Sequence, residues 1–135
     1  MKLAVSSTGR GMESAVDPRF GRCSYFVIVD TETMEYEAVP NLSVGAAHGA
    51  GIQAAQLVAS KGVEAVLTGN MGPNAFSALS AAGVQVVTGA GGTVRDTLER
   101  FKRGELRASS GPTVGGHFGS GGRGTGRRRG GRRRI

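Results

Sequence analysis

The sequence has a single cysteine and no long apolar run, and each of these shortages excludes a class of protein. With Cys23 alone, an internal disulfide and a CxxC zinc or redox motif are both excluded. No segment approaches the roughly 20 apolar residues of a membrane-spanning helix, and the apolar run near the start is too short for a signal peptide. We therefore expect a cytoplasmic protein without a membrane segment.

The sequence also lacks the motifs of several common catalytic sites. It has no GxSxG, no Walker motif and no HExxH. A Cys–His nucleophile pair would require Cys23 and His48 to meet, and no third residue is evident that would orient such a pair. We predict a binding protein rather than an enzyme.

Acidic residues are absent from the last part of the chain. Residues 107–135 contain eight of the 17 Lys and Arg residues and no Asp or Glu, so residues 1–106 hold nine basic and ten acidic residues. The same stretch has ten of the 24 glycines and too little apolar surface to offset the entropy of ordering it. We predict a folded domain over residues 1–106 and a disordered Gly/Arg-rich basic tail over residues 107–135.

Apolar periodicity within residues 1–106 indicates alternating strands and helices. Strands are predicted at residues 2–6, 25–30, 34–39, 64–68 and 84–87. Helices are predicted within 48–61, where Ile52, Ala55, Val58 and Ala59 recur at helical spacing, and after Pro73 and Thr93. Thr93-x-x-Asp96 resembles a capping box, and Gly62, Gly83 and Gly104 are placed to end the helices. The order βββαβαβα predicts an α/β domain.

This order of elements predicts a ligand site at one edge of the sheet. Four glycine-rich loops share that edge, at residues 7–24, 40–48, 69–73 and 88–93. Ligands of open α/β sheets bind at the carboxyl ends of the parallel strands. Three helix N-termini are expected to open there, and Arg10, Arg19 and Arg22 add positive charge. The predicted ligand is an anion.

Cys23 and His48 are the only soft or borderline metal ligands of the predicted domain, and Met71 is a weaker thioether candidate. Two lone ligands do not make a zinc site, which usually needs about four. A single cysteine at a strand entry also fits a small buried hydrophobe, and His48 also fits a capping or exposed residue. Both interpretations stay open at this point.

Three separated motifs resemble the dinitrogenase iron–molybdenum cofactor biosynthesis family. They are Asp17-Pro-Arg-Phe-Gly-Arg22, Gly45-Ala-Ala-His-Gly-Ala-Gly51 and Thr68-Gly-Asn-Met-Gly-Pro-Asn-Ala-Phe76. The resemblance implies a ribonuclease H-like motif fold of three layers, with a mixed five-stranded sheet in the order 3-2-1-4-5. It also implies a set of cofactor-binding residues: Arg19, Phe20, Gly21, Arg22, His48, Gly49, Gly51, Gly69, Asn70 and Gly72.

The resemblance further implies a nitrogenase-accessory role, the binding, storage or delivery of a preformed anionic metal–sulfur cluster. The cluster would be of iron–molybdenum or molybdenum–copper type, and the partners would be proteins that donate or accept it. Cys23, His48 and Met71 are metal candidates by ligand chemistry, not by the motifs. Nucleases of the ribonuclease H-like fold place a metal-binding carboxylate on the first strand, and residues 2–6 contain none.

The tail is where the sequence departs from the family pattern. Arg/Gly segments bind RNA through phosphate contacts and guanidinium stacking, although this one lacks interleaved aromatic residues. The alternative function is therefore a nucleic-acid- or acidic-partner-binding protein acting through residues 107–135. A solubilising tail is a further interpretation. A fourth is a tail that folds over the loops and adds charge there, with His117 as an added ligand.

Overall fold

The computed structural model describes residues 1–43 and 49–114, which form one mixed sheet with helices on both faces. The strands are β1 (Lys2–Ser7), β2 (Tyr25–Asp30), β3 (Tyr36–Pro40), β4 (Ala65–Leu67) and β5 (Gln85–Val87). The helices are α1 (Ala50–Ser60), α2 (Pro73–Ala81) and α3 (Val94–Lys102), and a short 3-10 turn spans Phe20–Arg22. Within the described ranges, no helix is long and apolar enough to cross a membrane.

The strands are arranged in the order β3-β2-β1-β4-β5. β1 runs parallel to β4, and β4 runs parallel to β5, whereas β2 is antiparallel to both β1 and β3. The predicted five-stranded mixed sheet is confirmed. These directions bring the described parts of four loops to one edge, which we call the loop face: residues 8–24, residues 41–43 with Gly49, residues 68–72 and residues 88–93.

Each central strand is buried on both sides, and successive residues enter different layers. In β1, Ala4 packs in the layer of α1 and α2, whereas Leu3 and Val5 pack in the layer of α3. This alternation follows from the period of two in a β-strand. A strand that is covered on both faces has a continuous apolar sequence. The strands predicted at residues 2–6 and 25–30 could be identified for this reason.

The helix boundaries follow the predicted capping residues. Pro73 is the first residue of α2, and Thr93 with Asp96 forms the capping box of α3. Three glycines that follow the helices have φ between +74° and +79°, a left-handed conformation that glycine adopts without steric cost: Gly62, Gly83 and Gly104. The predicted helix ends are confirmed.

β3 begins two residues later than predicted. Met34 has a φ of +61° and belongs to the hairpin turn, which is closed by hydrogen bonds from Met34 N to Asp30 O and from Asp30 N to Glu35 O. The alternation of Met34 with the residues after it therefore extended the predicted strand into the turn. Only Val39 of β3 is buried, as suits an edge strand with one solvated face.

The buried face of α1 also differs from the predicted one. Ile52 was expected on that face but is 38% exposed. Small residues take its place against the sheet and α2: Ala50, Ala54, Ala55 and Val58. α1 begins at Ala50 with Gly49 as its N-cap. Close packing of small side chains, rather than a stripe of large apolar ones, therefore determines which face of α1 is buried.

Residues 106–114, which we call the C-terminal strap, contact the sheet although most of them were assigned to the tail. Leu106 is buried in the layer of α3. Ala108 forms an isolated bridge with Val87, and Ser109 N donates to Val86 O at 2.7 Å. These contacts continue past the predicted boundary at residue 106. Disorder of the basic tail stays a prediction, because residues 115–135 lie outside the described residues.

Candidate functional site

The first loop of the loop face is fastened to the ends of β1 and β4. Asp17 N donates to Ser6 O at 3.0 Å, and Ser6 Oγ donates to Asp17 O at 2.7 Å. The hydroxyl groups of Ser6 and Thr68 share a further hydrogen bond of 2.7 Å, and both residues are fully buried. Since buried polar groups require partners, this network fixes the first loop against the third.

Asp17 orients Arg19. Asp17 Oδ1 accepts from Arg19 N at 2.9 Å and from Arg19 Nε at 3.3 Å, and Oδ2 accepts from Nη2 at 3.4 Å. The Asp17 side chain is 7% exposed, whereas that of Arg19 is 53% exposed. The guanidinium group is therefore held by a buried carboxylate yet open to solvent. The motif contained Asp17, but nothing in its pattern indicated this orienting role.

Small residues bring the 3-10 turn, α1 and α2 into close contact. A Cβ atom built on Gly21 would lie 3.1 Å from both Cα and N of Gly51. A Cβ atom built on Gly51 would lie 3.2 Å from Cβ of Ala75. The turn Phe20–Arg22 thus lies directly on the first turn of α1, which in turn packs on the first turn of α2.

Within the part of the chain that the structure describes, two of the three helix N-termini at the loop face have no side-chain cap. The N-cap residues of α1 and α2 are Gly49 and Gly72, and neither can supply a capping oxygen. In α3, by contrast, Asp96 N donates to Thr93 Oγ1 at 3.0 Å and Thr93 N donates to Asp96 Oδ2 at 3.1 Å. All three N-termini lie at the loop face as expected, but that of α3 is capped by its own side chains, and Asp96 adds a negative charge there.

The third loop packs on the motif of the first. A Cβ atom on Gly69 would lie 2.7 Å from Cα of Pro18, so the two backbones touch. Asn70 N donates to Pro18 O at 2.8 Å, and Asn70 forms a parallel bridge with Arg19. The structure therefore brings together Arg19, Gly69 and Asn70 as predicted site residues. Gly72 follows directly as the N-cap of α2.

Cys23 lies inside the protein rather than on the loop face. Its side chain is fully buried, Sγ donates to Phe20 O at 3.3 Å, and Asn41 Nδ2 donates to Cys23 O at 2.8 Å. Burial is the main cause that raises the pKa of the thiol, to about 12. A metal ligand must be a thiolate, and this thiol is protonated at neutral pH. The environment is that of a small buried hydrophobe, so the assignment of Cys23 as a metal ligand finds no support.

Met71 and Phe20 are also anchors of the core. Met71 is 1% exposed and packs in the layer of α1 and α2, so its thioether does not reach the loop face. Phe20 is buried with its ring centroid 5.2 Å from that of Phe26. His48 lies outside the described residues. In the described part of the chain, no three His, Cys, Asp or Glu side chains are grouped so that they could hold a metal ion.

Three arginines carry the positive charge of the loop face. Arg10 Nε donates to Tyr25 Oη at 3.1 Å, with its guanidinium carbon 5.4 Å from the ring centroid. Arg19 is held by Asp17, and Arg22 is an exposed residue that ends the 3-10 turn. Glu13 also lies in the first loop and forms an ion pair with Arg95 of α3. Arg22 ends the turn that packs on α1, and Arg19 forms a bridge with Asn70 in the loop before α2. Arg10 instead contacts Tyr25, which shares its strand face with Val27 and Val29 of the α3 layer.

Residues 1–104 match the family model described as dinitrogenase iron-molybdenum cofactor, and the chain belongs to that family. Among solved structures it is similar to the apo form of the orange protein from Desulfovibrio gigas, with a TM-score of 0.81 and 46% identity over 83% of this chain and 95% of that one. It is also similar to a NifB-like protein of the DUF35 family from Thermotoga, with a TM-score of 0.71 and 42% identity over 79% and 91% of the two chains.

A sequence relative is found in Methanocaldococcus jannaschii. This uncharacterized protein is 33% identical over 94 residues, which are 67% of this chain and 80% of the relative. The family predicted from three short motifs is confirmed, and the sheet order expected from it is the observed one.

Proposed function

We propose that this protein binds a preformed, anionic metal–sulfur cluster at the loop face and stores it or delivers it to an acceptor protein. The cluster is of iron–molybdenum or molybdenum–copper type. Membership of the iron–molybdenum cofactor family supports the class of ligand. The proposed contacts are made by the 3-10 turn and by the first turns of α1 and α2, with no catalytic step on the protein.

One observation carries the proposal: two helix N-termini without side-chain caps meet beside an oriented arginine. Such N-termini attract anions through their N–H groups and the positive ends of their dipoles. Gly21 and Gly51 remove the side chains that would separate the turn from α1. Arg19, held by Asp17, adds a permanent charge, and its backbone forms a bridge with Asn70, two residues before the N-cap of α2.

The groups that the site offers to a ligand fit a metal–sulfur cluster better than a bare metal ion. A metal–sulfur cluster supplies its own sulfide ligands and presents a negatively charged surface, so the protein has to offer charge and hydrogen-bond donors. The described residues of the site offer those groups, whereas the thiol of Cys23 and the thioether of Met71 are buried. We therefore place Arg19, Arg22 and the first turns of α1 and α2 in direct contact with the ligand, and Gly69 and Asn70 in support of the first loop.

The proposal is tested by titrating the full chain with tetrathiomolybdate, alone and with copper, and in a second series with isolated iron–molybdenum cofactor. Visible absorption follows the charge-transfer band, and gel filtration shows whether it elutes with the protein. We expect a band that co-elutes at about one equivalent. The proposal is overturned if neither probe gives such a band.

Paired variants locate the site. Arg19→Gln and Arg22→Gln each remove a charge and are expected to weaken binding about tenfold, because a hydrogen bond to a charged group contributes roughly 1.5–3 kcal/mol. Arg19→Lys and Arg22→Lys keep the charge and should lose less. Arg100→Gln on α3 is the matched control and should bind as the unmodified protein does. Equal affinity of all five variants would place the site away from the 3-10 turn.

A further inference from the structure

Asn41 follows β3 directly and is buried at the loop face, with only 3% of its surface exposed. Its backbone continues the pairing of β3 with β2 by one step, because Asn41 N donates to Ser24 O at 3.0 Å. The preceding pair in that ladder is Pro40 with Tyr25. The sheet therefore fixes the backbone of Asn41.

The side-chain amide of Asn41 uses all of its hydrogen-bonding groups. Nδ2 donates to Gly21 O at 3.2 Å and to Cys23 O at 2.8 Å. Oδ1 accepts from Ser43 N at 3.2 Å and from Ser43 Oγ at 2.6 Å. An amide offers two N–H donors and an oxygen with two lone pairs, so each of these groups has a partner. These four hydrogen bonds fix the orientation of the side chain.

The two carbonyl groups that accept from the Asn41 amide belong to the residues on either side of Arg22. Arg22 is the last residue of the 3-10 turn, and its own N–H donates to Arg19 O at 3.4 Å, a long hydrogen bond. Asn41 therefore ties the backbone immediately before and immediately after Arg22 to the end of β3. Because both flanking carbonyls are held, Asn41 helps to set the direction in which the Arg22 side chain leaves the backbone.

Arg19, at the other end of the turn, is held by a different residue. The Asp17 carboxylate accepts from the backbone N–H and from the guanidinium group of Arg19. Asp17 and Asn41 are both buried, and they belong to different loops. Each of the two arginines of the turn is thus held by its own buried polar side chain, Arg19 directly and Arg22 through the backbone on either side of it.

We propose that Asn41 is a positioning residue of the proposed site and orients Arg22 towards the anionic ligand. The inference rests on the proposed function and adds to that site a residue that lies outside its three motifs. Without the amide, Cys23 O loses this donor in the protein interior, and the backbone around Arg22 is no longer tied to β3. Arg22 then keeps its charge but loses the geometry in which that charge meets the ligand.

The test is a double-mutant cycle on the full chain, with affinity measured by the absorption titration. The probe is tetrathiomolybdate, or isolated iron–molybdenum cofactor if only that one gives a band. Asn41→Ala should weaken binding about fivefold, and in the Arg22→Gln background by less than about twofold, because the residue through which Asn41 acts is gone. In the Arg19→Gln background the loss should again be about fivefold. Equal losses in the two backgrounds would overturn the inference.

Leu106→Ala is the control for a loss of stability alone. Leu106 is buried in the α3 layer, on the other face of the sheet from Phe20 of the turn. This variant should bind within about twofold of the unmodified chain. The circular dichroism of the visible band depends on the groups arranged around the bound chromophore, so it should change in Asn41→Ala and stay the same in Leu106→Ala. The same spectrum in both variants would contradict a positioning role.

A second variant covers the case in which Asn41→Ala does not fold. Asn41→Asp has the same shape and keeps the oxygen that accepts from Ser43, but an ionised carboxylate has no N–H donor for Gly21 O and Cys23 O. It should weaken binding as the alanine variant does. If neither variant folds by far-ultraviolet circular dichroism, Asn41 belongs to the core of the fold and the inference is overturned.

A measurement without ligand separates this inference from the proposed function. The amide hydrogen of Arg22 should exchange with solvent at least about fivefold faster in Asn41→Ala than in the unmodified chain, and at an unchanged rate in Leu106→Ala. If the unmodified chain binds the probe while Asn41→Ala changes neither this exchange nor the affinity, only the inference fails. If the unmodified chain binds neither probe, the proposed function fails and the inference fails with it.

Discussion

Gly21 and Gly51 pack backbone against backbone, with the site that a Cβ atom of Gly21 would occupy only 3.1 Å from Cα and N of Gly51. The N–H group nearest to this contact belongs to the first turn of α1. The contact therefore does two things at once. It seats the 3-10 turn on α1, and it places the turn beside the N-terminus of that helix, whose N-cap is Gly49.

Gly21→Ala should disturb both the turn and the site. The added methyl group meets backbone atoms that cannot rotate away, so we expect a loss of about 1 to 3 kcal/mol in the free energy of unfolding and weaker binding of tetrathiomolybdate. Urea unfolding and the absorption titration measure the two effects. Gly11→Ala in the same loop is the control, because its Cβ atom would have no neighbour closer than 4.0 Å. Similar losses in both variants would contradict this account.

Cys23→Ala should leave binding of tetrathiomolybdate unchanged within about twofold, because the thiol is buried and protonated. In the native protein, alkylation by iodoacetamide at pH 8 should be slow, and it should become fast in 6 M guanidinium chloride. A large loss of affinity in Cys23→Ala, without a matching loss of folded structure by circular dichroism, would restore Cys23 as a ligand.

The same thiol predicts a dependence of stability on alkaline pH. Its pKa is about 12 in the folded protein and 9.0 without burial, so the unfolded chain loses this proton first as the pH rises. The stability contribution is complete below pH 9 and falls by up to about 1.4 kcal/mol per pH unit between pH 9 and pH 12. Urea unfolding of the unmodified protein and of Cys23→Ala at pH 8 and pH 10.5 measures the difference. Parallel curves for the two proteins would contradict the prediction.

Thr93→Ala should destabilise the protein without affecting the site. It removes the oxygen that accepts from Asp96 N, and loss of such an N-cap costs about 1 kcal/mol. Affinity for tetrathiomolybdate should not change, because the proposed contacts lie on the 3-10 turn and on the first turns of α1 and α2. Thr93→Ser, which keeps the accepting oxygen, is the matched control for stability. A loss of affinity in Thr93→Ala that exceeds its loss of stability would bring α3 into the site.

Leu106→Ala tests whether the C-terminal strap belongs to the folded domain. Leu106 is 7% exposed, and truncating a buried leucine costs about 2 to 5 kcal/mol. Leu42→Ala is the matched control, since Leu42 is 87% exposed and its truncation should change stability by less than about 0.5 kcal/mol. Equal midpoints of thermal unfolding for the two variants would show that the strap does not contribute to the core.

Local features of the fold were predictable because they depend on neighbouring residues. The apolar runs of β1 and β2, Pro73 at the start of α2 and the capping box at Thr93 are all readable within a few positions of the chain. The predictions were wrong where a local pattern of residues was compatible with two different structures. Met34 fitted the period-two pattern of a strand but lies in the hairpin turn. Ile52 fitted the apolar stripe of a helix, but α1 packs through its small residues and leaves Ile52 exposed.

The structure brings some of the predicted site residues together and buries others, and the site itself stays a prediction. Arg19, Gly69 and Asn70 meet as the motifs indicated. Cys23 and Met71 are the residue types that bind soft metals, but burial, which depends on the whole fold, places both in the core.

The sequence by itself determined the order of the elements, the caps of the helices and the family, because these follow from residue types at fixed spacing. The tertiary structure decided which groups reach the loop face. Asp17 orients Arg19, α3 closes its own N-terminus, and Thr113 fastens the strap to Met71. The strap contact joins residues 42 positions apart. No local pattern encodes a contact of that range, because it depends on the paths of all the elements between the two residues.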